Sequence, residues 1–452
     1  MPEEYLHDLR VVSSVLPFKV NEYVVDELID WSAAPDDPIF RLTFPHRDML
    51  PPDIFDSMSA LHLAAASPDV IRKAAREVHG RLNPNPGAQL DTNVPTHGGE
   101  PLGGVQHKYA ETVLVFPSQG QTCHSYCGYC FRWPQFVGNA DIRQAASDID
   151  RVVSYLAATP SVTDVLFTGG DPMIMSSTVL ERWIEPLLAP ALERIRTIRF
   201  GTKALSYWPA RFTTDRDADD VLRLFDRAVA RGRHVAVMAH FSHPRELESP
   251  VVREAIRRIR ATGAVIRAQA PLIAHVNDRP EDWATLWQKL VELGVVPYYM
   301  FVERDTGARS YFGLPLTRAV QIYTDAIRSV SGLARTARGP VMSAAPGKVL
   351  IDGVADIGGT EVFSLRMLQA RDARLVGRQF LAHHDPAAEW LDDLRPALGS
   401  WWPHEARRRP FPVAPDPAGA PTPARPGGHD GADRHQRRPH GERETTEPVA
   451  QP

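Results

Sequence analysis

Six short, β-branched apolar runs recur along the middle of this chain, each separated from the next by an amphipathic stretch, and this alternation most restricts the possible fold. The runs are Thr112 to Phe116, Asp164 to Thr168, Arg196 to Gly201, His234 to His240, Ala264 to Ala270 and Val296 to Val302. Between them, Asp141 to Ala157 keeps Ile142, Ala145, Ile149, Val152, Val153 and Leu156 on one helical face, so a helix is expected there. Strand and helix in strict succession give a parallel sheet, and right-handed crossovers curl it towards a barrel or a doubly wound sheet. In such folds chemistry is built where the strands end. At those ends the chain carries a cysteine loop, Thr168-Gly169-Gly170-Asp171, Gly201-Thr202-Lys203, His240, Gln269, and Glu303-Arg304-Asp305.

The flanks read differently. Residues 1–106 mix short apolar segments with Pro-rich turns and are expected to form a mainly helical extension, leaving 107–335 for the barrel and 336–405 for a C-terminal segment. From 406 onward the chain turns Pro- and Arg-rich: the 43 residues from Pro410 to Pro452 hold ten prolines and one aromatic residue, too little to build a core, so a disordered tail is expected. A net charge of -4 gives no reason to expect nucleic acid. No apolar run approaches the roughly 18 residues of a membrane span. The acidic start, Met1-Pro2-Glu3-Glu4, differs from a basic leader, so a cytoplasmic enzyme away from membranes is expected.

All three cysteines fall within eight residues, at Cys123, Cys127 and Cys130, in a loop after the first run. Three thiolates on one short loop suit three corners of a 4Fe-4S cubane. The fourth iron is then free to chelate the amino and carboxylate groups of S-adenosylmethionine and cleave it to a deoxyadenosyl radical. The competing readings are a structural zinc site, with His124 as fourth ligand, and buried core cysteines. His124 directly follows Cys123, a poor spacing for a tetrahedral chelate. Lysine is scarce, only six among 51 basic residues, so any lysine chemistry has few candidates. Lys348 stands out because small residues and a Pro-Gly turn precede it and an apolar run follows, although from these residues alone a surface lysine is the simpler reading.

The C-x3-C-x2-C spacing, with aromatic Tyr129 before the last cysteine, resembles the radical S-adenosylmethionine superfamily, and Gly169-Gly170-Asp171-Pro172 resembles its GGE-type segment. Over roughly residues 15 to 400 the order of motifs resembles the lysine 2,3-aminomutase family. These are Asp36-Asp37-Pro38-Ile39, Lys108-Tyr109, the cysteine loop, VLFTGGDPM, IRFGTKA, His240-Phe-Ser-His243-Pro-Arg-Glu, AQAPLIAHVND, Val296-Pro-Tyr-Tyr-Met and Pro346-Gly-Lys-Val. The resemblance implies an α/β fold: a partial (β/α)6 parallel barrel of the radical SAM type with the helical extension and the tail. It implies a cluster on the three cysteines and S-adenosylmethionine held through Gly169, Gly170, Asp171, Tyr129, His240 and Gln269. Lys348 would carry pyridoxal 5'-phosphate, with Lys108 and Tyr109 near the phosphate. Arg132 would pair with the substrate's α-carboxylate. The implied reaction turns an α-amino acid into its β-isomer, in a homo-oligomer fed electrons by a donor such as flavodoxin or ferredoxin.

Two departures concern the substrate. Lysine-specific members place carboxylates at two positions around the distal ammonium, and here the matching residues are Arg304 and Ala344. If Glu303 or Asp305 turns inward, lysine or arginine fits; if Arg304 does, glutamate-like substrates fit; in a third reading Arg304 projects into solvent, and lysine is the nominal substrate by resemblance. Two rivals stand beside this reading: modification of a lysine on a partner protein by the same radical chemistry, and a metal-stapled binding module without catalysis.

Overall fold

A computed structural model describes residues 3–83, 93–138 and 144–403. After a two-stranded hairpin, β1 (Thr96–His97) with β2 (Glu100–Pro101), the remaining strands form one eleven-stranded sheet. β3 (Val105–Tyr109) lies antiparallel to β4 (Thr112–Val115). Then β4, β5 (Asp164–Phe167), β6 (Thr197–Thr202), β7 (His234–His240), β8 (Val265–Leu272) and β9 (Val296–Val302) run parallel in sequence order. These are the six runs of the sequence, each displaced by at most two residues at an end. Helices cross between them: Ile149–Ala158, Ser177–Ile184, Ala218–Ala230, Pro250–Ala261 and Pro280–Glu292. Their apolar faces and the strands build the main core, with Phe167, Phe200 and Phe225 stacked in series at 5.6 and 5.2 Å between ring centroids.

The sheet continues past the six strands. β10 (Arg338–Ser343) is parallel to β9, and β11 (Gly347–Ile357), β12 (Thr360–Ala370) and β13 (Gln379–His383) follow as an antiparallel meander. The segment 336–405 therefore extends the barrel sheet, and β3 spans the expected boundary at 106. The expected tail, 406–452, lies outside the described residues.

The helix expected from Asp141 starts only at Ile149, where the Asp148 carboxylate caps it by accepting the Arg151 amide at 3.0 Å. Asp141 and Ile142 lie outside the described residues. Ala146 is diverted into backbone pairing with Phe116 and Ser118, and Gly104 packs so closely on it that any Cβ there would overlap the chain. Tertiary pairing overrides a helical period at its end.

Glu246 ties barrel segments together, and its neighbour Arg245 reaches the helical extension. The buried Glu246 carboxylate accepts from Lys203 Nζ at 2.6 Å, from Ser206 Oγ at 2.6 Å, and from the amides of Ser242 and His243. Next to it, Arg245 pairs with Asp37, which caps the helix Pro38–Thr43 through the amides of Ile39 and Phe40. Two of the motifs that resemble the family thus form a latch between distant segments. Removing a partner from a buried charged network costs about 3–5 kcal/mol. Glu246→Ala should lose stability of that order in guanidinium unfolding; a loss below about 1 kcal/mol would show that the network does not hold the fold.

Candidate active site

The cysteine loop is held on two sides by backbone. From the extension, Lys19 O accepts the Tyr126 amide and Leu42 O the Gly128 amide, both at 2.8 Å, while Lys19 Nζ donates to Cys123 O at 2.8 Å. From the next strand end, the amides of Gly170 and Asp171 donate to Gly120 O at 3.0 Å and Thr122 O at 2.8 Å. Gly169 has φ 151°, outside what side-chain-bearing residues readily adopt, and a Cβ on Gly170 would overlap the Thr122 backbone. The two glycines let one loop lie against the other.

Burial raises all three thiol pKa values, Cys130 to about 12, so ligation must displace protons. Cys127 lies 3.7 Å from the Tyr207 hydroxyl. Among the described residues no three His, Cys, Asp or Glu side chains converge as a single ion requires. A cubane presents three separate irons, so its thiolates stand apart, and soft sulfur donors on one loop suit it. The His124 ring packs on Trp208, 3.9 Å between centroids, and burial lowers its pKa to about 3.

Asp171 proves to be an anchor. Both carboxylate oxygens accept from Thr202 Oγ1, at 2.6 and 2.8 Å, and from the amides of Met173 and Lys203, both at 2.9 Å. Tyr129 is buried, its hydroxyl 3.5 Å from Ser242 Oγ. His240 and Gln269 are neighbours on β7 and β8, with the Gln269 amide 2.9 Å from His240 Nε2. Burial, with Lys203 nearby, lowers the His240 pKa to about 3, so its imidazole is neutral.

A second group of residues gathers around the rings of Tyr109 and Phe131. Lys348, the second residue of β11, donates to Gln369 Oε1 at 2.8 Å and lies 4.9 Å from the Tyr299 ring centre and 5.8 Å from that of Tyr109. The surface reading of Lys348 is thereby set aside. Burial, reinforced by Arg199, lowers its pKa to about 7. Lys108 Nζ lies 5.6 Å from the Tyr109 ring centre, donates to Ala344 O at 2.6 Å, and has its pKa depressed chiefly by burial. Arg132 lies over the Phe116 ring at 4.3 Å and Phe131 at 5.2 Å, without an ion pair among the described residues; burial lowers its pKa to about 10. Arg304 covers Phe131 at 5.1 Å, and its buried Nε has no acceptor. Glu303 is buried with its pKa raised, and Asp305 is already engaged.

Sequence reasoning missed Gln369, which lies opposite Lys348 in the β11–β12 register, and Tyr299 beside it. Neither carries a signal until the pairing is known. An amine on small-residue backing between two aromatic rings, with a second buried ammonium nearby, fits an aldehyde cofactor bearing a phosphate.

A parallel βα barrel with three thiols on the loop after its first parallel strand is the arrangement that the resemblance to radical S-adenosylmethionine enzymes implies. The chain is similar in sequence to proteins named lysine 2,3-aminomutases. It is 29% identical over 393 residues to a putative L-lysine 2,3-aminomutase of Aquifex aeolicus, covering 87% of this chain and 91% of that one. The L-lysine 2,3-aminomutase of Fusobacterium nucleatum is 27% identical over 312 residues, 69% of this chain and 67% of its own. That of Escherichia coli is 28% identical over 251 residues, 55% and 67% respectively. No family model matches. Among solved structures, a radical SAM methyltransferase from Sphaerobacter thermophilus aligns at 14% identity and TM-score 0.37, over 64% of this chain and 94% of that one. No helix among the described residues is long and apolar enough to cross a membrane.

Two outcomes follow from this geometry. Gly170→Ala should weaken iron uptake by about tenfold or more in anaerobic reconstitution, measured as iron per chain at limiting iron with far-UV circular dichroism unchanged; undiminished uptake would separate the two loops functionally. Because imine formation needs the neutral amine, reductive trapping of pyridoxal phosphate on Lys348 should rise through about pH 7, as its lowered pKa requires. Peptide mapping that finds the label elsewhere, or a rise only near pH 10, would contradict the burial of this amine.

Proposed function

We propose that this protein is a pyridoxal-phosphate-dependent amino acid 2,3-aminomutase that moves the amino group of a free α-amino acid to Cβ. The observation that carries the reading is a buried lysine of lowered pKa, Lys348, in the same barrel sheet that carries the three-cysteine loop. When bound, a 4Fe-4S cluster on Cys123, Cys127 and Cys130 with S-adenosylmethionine supplies a hydrogen-abstracting radical, and pyridoxal phosphate on Lys348 supplies a conjugated system that stabilises the substrate radical. The chain does the rest. Lys348 offers a neutral amine at ordinary pH, positioned by Gln369. Lys108 presents a cation beside Tyr109, suited to a phosphate, though without an arginine's fork. Arg132 offers an unpaired planar guanidinium for a carboxylate, two residues beyond the last cysteine ligand, which keeps substrate and radical source close. An electron donor such as flavodoxin or ferredoxin completes the cycle, and a cytoplasmic homo-oligomer is the proposed setting.

The test is anaerobic reconstitution with iron, sulfide and pyridoxal phosphate, followed by amino acids, S-adenosylmethionine and dithionite. Deoxyadenosine and a β-amino acid should both form. Cys127→Ala should abolish both, and Lys348→Ala should abolish the β-amino acid. Deoxyadenosine without any free β-amino acid would favour modification of a partner protein's lysine. Stoichiometric zinc with no cluster would remove the enzymatic reading.

A further inference from the structure

We infer that the side-chain pocket accepts an amino acid ending in a second anion, a carboxylate as in glutamate or 2-aminoadipate, and that Arg304 is its partner. The inference rests on the aminomutase reading and names its substrate class. Arg304 lies two residues beyond the end of β9, at the strand-end rim where the other site residues gather. Its guanidinium covers one face of the chain's Phe131, the same ring that Arg132 addresses, so the two arginines flank a common aromatic wall at 5.1 and 5.2 Å. Its Nε is buried and without an acceptor, an expensive state for a charged donor unless a ligand completes it.

The surrounding charges leave Arg304 as the available cation. Arg132 is taken by the α-carboxylate in the proposed reading, Lys348 by the cofactor, and Lys108 already donates to Ala344 O. Arg371 is bonded to Asn93, and Asp164 is engaged by Arg199. The neighbouring Asp305 and Glu303 offset part of the effect of burial on Arg304, yet among the described residues its Nε has no acceptor. Ala344, 2% exposed, contributes only a methyl where a second carboxylate would have to stand to hold an ammonium. A lysine side chain entering here meets a fixed cation, which is costly away from water. A carboxylate meets an unfilled, charge-assisted donor.

Calorimetric titration of the reconstituted full-length protein with L-glutamate, L-2-aminoadipate, L-norleucine and L-lysine reads this directly. An anionic ligand should bind roughly a hundredfold more tightly than lysine, with norleucine between them. Arg304→Gln should bring the anionic ligands down to the norleucine level. Should that variant fail to fold, the wild-type ranking alone decides. Lysine binding more tightly than norleucine, or an unchanged ranking in Arg304→Gln, overturns the inference while leaving an aminomutase for another substrate intact. If no amino acid binds and no β-amino acid forms, the underlying reading fails and takes the inference with it.

Discussion

Parallel strands cannot be joined by a tight turn; each needs a crossover long enough to carry the chain back to its starting end. That constraint governs this molecule. Because β4 to β9 all run the same way, every one of them delivers its terminal residues to the same rim: Gly169 and Gly170, Lys203, His240, Gln269 and Glu303 to Asp305 come from segments far apart in sequence. The cysteine loop leaves the first of these strands, and β10 delivers the turn before Lys348 beside the last. One sheet therefore carries the three-cysteine loop at one strand end and the Lys348 amine at another, though nothing in the sequence between them links the two.

Within that frame, carboxylates and cations divide the labour. Asp37, Asp171 and Glu246 are buried and saturated with donors, which makes each a fixed point between segments. The cations around Tyr109 and Phe131 are the opposite: burial lowers the pKa values of Arg132, Arg304 and Lys348, and Arg304 adds like charge to Arg132. Such crowding is unfavourable in itself and is sustained by the surrounding apolar core. Where polar groups are satisfied the molecule is scaffold; where like charges are left facing each other it is prepared for anions.

The six strands were legible because each is a β-branched run bounded by Gly or polar residues, and a strand buried on both faces has no other way to be written. The cysteine loop was legible from spacing alone. The meander β11 to β13 was not, since its long strands carry exposed apolar residues such as Val354 and Ile357 that blur the pattern of a buried strand. The Asp141 helix was overread because Ala145 and Ala146 satisfy a helical period yet are claimed by Gly104 and Phe116. Asp171 was read as a cofactor ligand because the motif puts an acid there; only the hydroxyl of Thr202 and the amides around it reveal that its oxygens are already used. The motifs Asp36 to Ile39 and His243 to Glu246 were noticed for their resemblance, and their structural work as a latch needed coordinates to see.

The ties between the cysteine loop and the first forty residues also say something about biosynthesis. Ser125 meets Asn21 across a separation of 104 residues, and Lys19 and Leu42 supply the carbonyls that shape the loop. On the ribosome those partners have emerged long before the cysteines do. The loop thus follows its support in synthesis, whereas Lys348 and β12 emerge more than two hundred residues later, so the two ends of the sheet are completed at different times.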